Sequence, residues 1–207
     1  MGTDVHIVFQ KKTPDGWQDV PANFERNRHY FLFSWIAGVR NGSGFAGVPT
    51  YQPIKPIAER RGLPDDFPMH DEDHPTTLDA MLPCDLEYMD EADKLNPTVW
   101  MGDHSHSWLS FDEILSTPAP DRVWQSGVVP RAIFDSWDGH SAPADWSGDV
   151  SGNRVVRAAT PVDVTDETTH VRIFWIREGG GLTYFTDEIR RLKELHGEGR
   201  IVFGFDS

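Results

Sequence analysis

The sequence predicts an α+β fold: a single domain over residues 1–207 with a small mixed or antiparallel sheet, a few short helices and long irregular loops. Three observations predict this class. Stretches that alternate apolar and polar residues occur near both ends of the chain, helical patterns interrupt them, and segments rich in Gly, Pro, Ser and Asp separate the two. With 207 residues, 38% of them hydrophobic, the chain is long enough to bury a core.

The N-terminal residues predict a β-hairpin. The stretch 5–11 alternates in hydrophobicity, which places Asp4 and His6 on the face opposite the strand's first apolar residues. Thr-Pro-Asp-Gly at 13–16 has Pro and Gly where a tight turn uses them. A second short strand is therefore expected over 17–20.

A helix is predicted next, over 28–39, because apolar residues recur there with helical spacing. Asn41–Gly42 is a signal for the end of that helix. The Gly- and Pro-rich stretch 41–56 is expected to form a long loop, followed by a short helix over 57–61 that ends at Gly62.

The middle of the chain is mostly irregular. Residues 63–100 are predicted to form an acidic excursion, and a loop of this length is often functional or mobile. The exception is Ser-Phe-Asp-Glu at 110–113, which has the spacing of a helix-capping box. We therefore expect a helix from there to about Leu115, and a loop over 101–108 before it. Weaker helical windows lie at 78–81 and 88–95, and no clear period is found over 117–155.

The C-terminal third is the most regular part of the sequence. Residues 171–177 predict a strand because they are rich in β-branched and aromatic side chains. Residues 187–196 predict an amphipathic helix, with Thr186 as its N-cap and Gly197 as its stop. Residues 200–205 are largely apolar, which is typical of a central strand.

Composition excludes several classes of function. The net charge of −14 predicts repulsion from nucleic-acid backbones and anionic membranes, so neither is expected as a partner. The single cysteine, Cys84, rules out an intramolecular disulfide and fits a reducing cytoplasm. The first ten residues lack the pattern of a signal peptide, and no apolar run has the length of a membrane span. These features predict a cytoplasmic protein.

Two groups of polar residues predict a metal or acid–base site. Alternate residues of a strand point the same way, so Asp4 and His6 should approach a common ligand. The segment Met-Gly-Asp-His-Ser-His-Ser-Trp at 101–108 offers His104 and His106 as partners. Two imidazoles with one or two carboxylates suit Zn²⁺, Mn²⁺ or Fe²⁺, so the expected cofactor is a divalent metal, Zn or Mn.

The same residues support two other interpretations. Without a metal, these residues would be catalytic: one imidazole would accept a proton while another protonates the leaving group, with Asp4 or Asp103 orienting a ring. Alternatively, His104 and Ser105 only hydrogen-bond a loop that precedes Trp108. The sequence leaves all three interpretations open.

Arginines near the first predicted helix are candidates for holding an anionic ligand. Arg40, beside Asn41 at a helix end, and Arg61 could clamp a phosphate through paired hydrogen bonds. The ordinary alternative is pairing with surface carboxylates, where each pair adds little stability. The remaining candidate ligand-binding residues are Arg28, Tyr30 and Trp108.

Several segments resemble a family of small phage and bacterial proteins, mostly of unassigned function, that open Met-Gly-Cys-Asp-Ile-His. The family's motifs have counterparts, in order, in the segments at 1–6, 28–41, 61–66, 103–109 and 200–206. His29 stands where the family usually has Asn, and Thr3 where it usually has Cys. The resemblance implies a phage origin and action in the host cytoplasm.

By analogy with other small phage proteins, the resemblance favours a counter-defence function. The leading hypothesis is a hydrolase of a small nucleotide signal, with a cyclic dinucleotide as one candidate, that uses His and Asp residues or a metal. One alternative is a non-catalytic protein that sequesters such a nucleotide. The other is an acidic inhibitor of a host protein, and a homo-oligomeric state is left open.

Overall fold

A computed structural model describes residues 2–26, 28–42, 50, 52–67, 73–178 and 181–207. It confirms the α+β class, with helices and several mainly antiparallel sheets. The chain forms two compact units from discontinuous segments: the first unit from Met1–His29, Pro56–Pro118 and Leu182–Ser207, the second from Tyr30–Lys55 and Ala119–Gly181. The single domain over 1–207 stays a prediction.

The elements are numbered in chain order. The strands are β1 (Asp4–Thr13), β2 (Gly16–Asp19), β3 (Asp73–Pro75), β4 (Thr98–Trp100), β5 (His104–Ser110), β6 (Arg122–Pro130), β7 (Arg157–Ala158), β8 (His170–Glu178) and β9 (Gly199–Asp206). The helices are α1 (Tyr30–Ala37), α2 (Pro83–Tyr88), α3 (Phe111–Ser116), α4 (Arg131–Ser136) and α5 (Thr183–His196). Short 3-10 helices occur at Leu78–Ala80, Asp93–Leu95 and Pro161–Asp163.

The first unit contains a four-stranded antiparallel sheet in the order β2-β1-β9-β5. Side chains alternate between its two faces, as the sequence predicts for β1. Val5, Ile7 and Phe9 lie on the first face, opposite aromatic and aliphatic residues of β9, and α3 and α5 pack on β9. This face is therefore a conventional apolar core.

The second face of the sheet is apolar in its middle and polar towards both ends of the strands. Val8 of β1 pairs with Val202 of β9, and both join a cluster that includes Phe67, Met81 and Val99. The described residues of the predicted excursion over 63–100 thus supply apolar side chains that cover the centre of this face. Polar residues flank the centre on both sides, and they form the two clusters described below.

The second unit is built on the sheet β6-β8-β7, in which β6 is antiparallel and β7 parallel to β8. Its core contains Val129, Val171, Ile173 and Trp175, with Trp146 packed against them. α1 is shorter than the predicted helix over 28–39, because the backbone turns to positive φ at Gly38 and Arg40. Half of the predicted loop over 41–56 lies outside the described residues.

Several predicted elements are confirmed. The capping box forms at the start of α3: Ser110 Oγ accepts from the N–H of Glu113 at 3.1 Å, and Glu113 accepts from the N–H of Ser110 at 2.9 Å. Gly197, with φ of +78°, ends α5. The strand expected over 200–205 lies between two partners, as a central strand must.

Two helix predictions are wrong. Residues 57 and 58 form a bend and residues 59–61 have no regular structure; the backbone N–H of Arg61 donates to Ser107 Oγ of β5 at 3.1 Å instead of bonding within a helical turn. α5 begins at Thr183, so Thr186 is not its N-cap; the Thr186 hydroxyl donates back to the carbonyl oxygen of Thr183 at 3.1 Å. At 57–61 a hydrogen bond to β5 takes the place of the predicted helical bonds. At Thr186 a bond to the preceding helical turn takes the place of the predicted cap.

Five strands were not predicted: β3, β4, β5, β6 and β7. The segment 104–110, expected to lie in a loop, forms β5, because β9 offers it a free edge and its polar side chains need only one covered face. A register shift between His104 and Ser107 interrupts the pairing. β6 lies in a stretch without clear period, since Ser126 and Gly127 interrupt its apolar residues.

Among the described helices, none combines the length and the apolar character needed to cross a membrane.

Candidate functional site

The predicted site residues of β1 lie at one end of the second face of the sheet. Asp4 pairs with Asp206 and His6 with Gly204 across the β1–β9 ladder, so these residues share that face. The backbone N–H of Asp4 donates to Asp206 Oδ1 at 3.0 Å. We call the resulting group the N-terminal polar cluster; it comprises Asp4, His6, Arg26, Arg28, Asp85 and Asp206.

His6 is the centre of the N-terminal polar cluster. Its Nδ1 lies 3.4 Å from Nη1 of Arg26, which can only donate, so Nε2 carries the proton that faces Asp206 Oδ2 at 3.3 Å. Burial and the neighbouring Arg26 charge lower the pKa of His6, although Asp206 opposes them. The ring also makes an edge contact with Trp100 at a centroid distance of 4.6 Å. Both ring nitrogens of His6 are thus already engaged by protein.

The arginines of the N-terminal polar cluster are held by carboxylates. Arg28 donates two hydrogen bonds of 2.9 Å to the two oxygens of Asp4. Arg26 donates to Asp85 Oδ2 at 2.9 Å. The hydrogen bonds from Arg28 lower the pKa of Asp4. A ligand or metal on Asp4 would have to replace these bonds.

His106 and His104 point to different faces of the sheet. A Cβ added at Gly204 would lie 2.6 Å from Cδ2 of His106, so that ring covers Gly204 on the face of His6. His106 Nε2 donates to the carbonyl oxygen of Gly102 at 3.0 Å. The His104 ring instead stacks on Phe205, which belongs to the first face, at 6.2 Å between centroids.

The four predicted metal ligands, Asp4, His6, His104 and His106, are therefore not brought together on one face. Among the residues that the structure describes, no group of three or more His, Cys, Asp or Glu side chains is placed to hold a metal ion. A metal cofactor stays a prediction that these positions do not support. The contact of His104 Nδ1 with Ser105 Oγ, at 2.8 Å, fits the alternative of a structural role.

The predicted anion-binding residues also have protein partners. Arg61 forms a two-pronged ion pair with Glu113 and lies over the ring of Trp108, at 4.7 Å from its centroid. In the second unit, Asn41 binds both backbone groups of Ile54, at 2.6 and 2.8 Å, as a strand partner would.

The other two predicted ligand-binding residues of the second unit have a structural setting as well. Tyr30 packs on Phe33 at 5.6 Å between ring centroids. Arg40 has a φ of +56° beyond the end of α1.

The opposite end of the second face holds a cavity of about 350 Å³ that the sequence did not predict. The residues that line it comprise two carboxylates, two amides, two hydroxyls and three rings: Asp19, Asp66, Gln10, Gln18, Thr76, Thr77, Trp17, Pro75 and His74. Its volume lies within the usual range for small-molecule sites. We call it the dyad cavity, after the Asp19–His74 pair.

Asp19 and His74 form a buried hydrogen-bonded pair at the dyad cavity. His74 Nε2 lies 2.9 Å from Asp19 Oδ2, and the two side chains are 6% and 11% exposed. Asp19 also accepts from Thr76 Oγ1 at 2.6 Å and from Gln10 Nε2 at 2.8 Å. Burial alone would raise the pKa of Asp19, but these three hydrogen bonds together lower it.

The protonation of His74 follows from that of its partner. Because Asp19 is ionised at neutral pH, Nε2 of His74 must donate to it. Within the described part of the chain, Nδ1 of His74 is buried and has no hydrogen-bond partner. A proton there would be a buried donor without an acceptor, so the stable form has a lone pair on Nδ1. Phe67 stacks on the ring at 4.2 Å and fixes its plane.

Arg200 of β9 supports the dyad cavity from below. Its Nε donates to Gln10 Oε1 at 2.8 Å, and its Nη1 donates to Asp66 Oδ1 at 2.8 Å. Its guanidinium lies over Trp17 at 4.1 Å from the ring centroid. Gln10 therefore links the arginine to Asp19, and the floor of the cavity is one continuous hydrogen-bonded network.

Sequence reasoning missed this site because its members looked ordinary one by one. Asp19 is the last residue of a short hairpin strand, and His74 ends the acidic run Asp-Asp-Phe-Pro-Met-His-Asp-Glu-Asp-His at 65–74. The one usable signal was that Gln10 and Asp19 are paired polar residues in the predicted hairpin. No sequence pattern near His74, which lies 55 residues further along the chain, indicates that it pairs with Asp19.

Comparison of the chain with protein-family models, with curated proteins and with solved structures gives no match. The chemistry of the dyad cavity is therefore inferred from its own atoms.

Proposed function

We propose that this protein is a hydrolase of a small ligand that binds in the dyad cavity, with His74 as general base and Asp19 as the group that orients it. The observation that carries the proposal is the 2.9 Å Asp19–His74 hydrogen bond, buried beside a cavity of about 350 Å³. An ionised carboxylate that fixes the tautomer of an imidazole is the arrangement that makes histidine an effective base.

The proposed reaction needs only water as nucleophile. Nδ1 of His74 would take a proton from a water molecule as the water oxygen attacks the electrophilic centre of the ligand. The same proton would then pass from Nδ1 to the leaving group, so that His74 returns to its starting form. General base catalysis of this kind contributes about 10²- to 10⁴-fold in rate.

The unpartnered nitrogen of His74 supports this role. A buried acceptor without a hydrogen bond costs about 1–3 kcal/mol. Because Nδ1 is closed to solvent in this structure, a water or ligand hydroxyl would reach it, and relieve that cost, only after the residues around it move. The ring cannot turn away easily, because Phe67 stacks on it and Asp19 holds its other nitrogen. The lone pair therefore keeps a fixed direction.

The nucleotide substrate and the divalent metal predicted from the sequence remain separate hypotheses. Arg61, predicted with Arg40 to hold phosphate, forms paired hydrogen bonds with Glu113, and Arg28, a further predicted ligand-binding residue, forms them with Asp4. A phosphate would have to displace those carboxylates. The assay therefore includes nucleotides and a chelator but does not presume either hypothesis.

The test compares two histidine variants on one substrate panel. Wild type, His74→Gln and His104→Gln are incubated with nucleotides (including cyclic dinucleotides), carboxylic esters and glycosides, with and without a chelator. We expect His74→Gln to lose at least about 100-fold in turnover and His104→Gln to retain it. Folding of each variant is checked by circular dichroism. Thr76→Val, which removes one hydrogen bond from Asp19 at a half-buried position, should give a smaller loss.

Other outcomes would contradict the proposal in distinct ways. Loss of turnover in His104→Gln alone would return the chemistry to the predicted histidines, and loss on chelation would favour the metal. Retention of an unaltered nucleotide, released intact by heat, would favour the sequestering protein. If no compound is bound or altered, the acidic protein–protein inhibitor gains support.

A further inference from the structure

We infer that the dyad cavity takes an uncharged or cationic polyhydroxylated ligand, such as a sugar or an amino sugar, in preference to a phosphorylated compound. This inference rests on the proposed function, because it names the substrate class of the same site.

Charge is the first argument. Among the described residues that line the dyad cavity there is no lysine or arginine, whereas two are carboxylates. Arg200 lies beneath the cavity, but Asp66 is bonded to it and offsets its charge. Asp19 accepts hydrogen bonds from Gln10, His74 and Thr76, and the charge of Arg200 also acts on it. A phosphate group would therefore meet net negative charge here, in a chain whose own charge is −14.

Hydrogen-bonding capacity is the second argument. The lining amides and hydroxyls, Gln18, Thr76 and Thr77 among them, both donate and accept, and the carboxylates only accept. Such a set matches a ligand whose groups also do both, which is the property of hydroxyls. A phosphate offers almost only acceptors, so the two carboxylates would face a like partner.

The walls of the dyad cavity are the third argument. Trp17 and Pro75 supply apolar surface between the polar groups. A sugar ring presents C–H groups on its faces and hydroxyls at its rim, so it can contact apolar walls and polar groups together. The cavity volume of about 350 Å³ accommodates a ligand of monosaccharide or disaccharide size.

The test uses three probes that share one ring: glucose, glucosamine and glucose 6-phosphate. Binding to the full chain is measured by NMR titration at slightly acidic pH, where the amine of glucosamine is protonated. We expect glucosamine and glucose to bind, and glucose 6-phosphate to bind at least about tenfold more weakly than either.

Two matched variants separate the local charge of the cavity from the charge of the whole chain. Asp66→Asn removes a lining carboxylate that is half exposed, and Asp65→Asn makes the same change of net charge at an exposed neighbour that does not line the cavity. Asp66→Asn should reduce the preference for glucosamine over glucose 6-phosphate by about threefold or more, and Asp65→Asn should leave it unchanged.

The inference is overturned if glucose 6-phosphate binds as tightly as glucose, if the two Asn variants behave alike, or if none of the probes binds up to about 10 mM. Its failure can be told from failure of the proposed function. A phosphorylated substrate hydrolysed in a His74-dependent manner would overturn the ligand class and support the hydrolase. Sugar binding with the expected preference but no turnover of any glycoside or ester would support the ligand class and overturn the hydrolase.

Discussion

Asp19 accepts hydrogen bonds from three side chains that lie on two different segments of the first unit. Gln10 lies on β1, His74 on β3, and Thr76 directly after β3. A single carboxylate thus fixes the hairpin, the segment around β3 and the orientation of the imidazole. Such a residue has a role in stability as well as in the proposed chemistry, and the two roles can be measured separately.

Asp19→Asn should destabilise the protein by about 2 kcal/mol at pH 7, because hydrogen bonds to a charged group are replaced by weaker ones. The pKa of Asp19 is lowered from 3.8 in the folded state, so its stabilising effect is complete above that pH and is lost as the pH falls below it. Urea unfolding at pH 7 and near pH 3 measures this. A difference between wild type and variant that is the same at both pH values would contradict the assigned ionisation.

Gly204 shows how closely β1, β9 and the segment before β5 approach one another. A Cβ there would overlap the backbone carbonyl oxygen of Met101 and the ring of His106, and a backbone atom cannot move away as a flexible side chain can. Gly204→Ala should therefore lower the free energy of unfolding by about 2 kcal/mol or more. Chemical denaturation checks this value.

Gly62→Ala is the comparison for this prediction. At Gly62 the φ of +74° disfavours a side chain, but a Cβ would meet no atom within 4 Å. Gly62→Ala should therefore lower the free energy of unfolding only through backbone strain, by about 1 kcal/mol. Equal losses in the two variants would show that steric overlap at Gly204 is not the cause.

At the scale of elements, the start of α3 combines a capping box with an ion pair. The hydrogen bond from Arg61, helped by the backbone and hydroxyl groups of Ser110, lowers the pKa of Glu113 to about 2. The lowered value means that Glu113 stabilises the folded state fully above about pH 4.5 and loses this effect as the pH falls towards 2.

Two substitutions separate the parts played by Glu113. Glu113→Gln can keep the capping box and loses only the charge, so it should cost about 0.5 kcal/mol at neutral pH. Glu113→Ala loses both the capping box and the charge, so it should lower the free energy of unfolding by about 1 kcal/mol or more. Thermal unfolding at pH 7 ranks them. If Gln were as damaging as Ala, the charge rather than the cap would be the dominant contribution.

Elements with a strong local pattern were predictable. The alternation of β1, the apolar run of β9 and the Ser110–Glu113 spacing each reflect contacts within one element or across one turn. β5 was not predictable, because its polar sequence becomes a strand only through the edge that β9 offers. Likewise, the non-helical backbone over 57–61 is held by the hydrogen bond from Arg61 N–H to Ser107 Oγ, which no local pattern indicates.

The candidate site was predicted less well than the fold for the same physical reason. Asp4 and His6 were correctly placed together on one face, but their partners proved to be arginines and Asp206. The Asp19–His74 pair joins residues far apart in sequence, and sequence alone does not show which distant polar residues meet.

For the whole molecule, the net charge of −14 at pH 7 predicts self-repulsion in the folded state. Salt screens this repulsion, so the Tm should rise by a few degrees between about 10 mM and about 0.3 M NaCl. Scanning calorimetry or fluorescence at pH 7 measures it. A Tm that falls over this range would mean that the surface ion pairs outweigh the net repulsion.

The most direct test of the central claim is the protonation of the His74 ring, measured by 15N NMR on histidine-labelled protein at pH 7. His74→Gln assigns its signals. The account predicts a proton on Nε2, protected by its hydrogen bond to Asp19, and a lone pair on Nδ1. A proton on Nδ1 at this pH would contradict it, because His74 could then not act as the base in the dyad cavity.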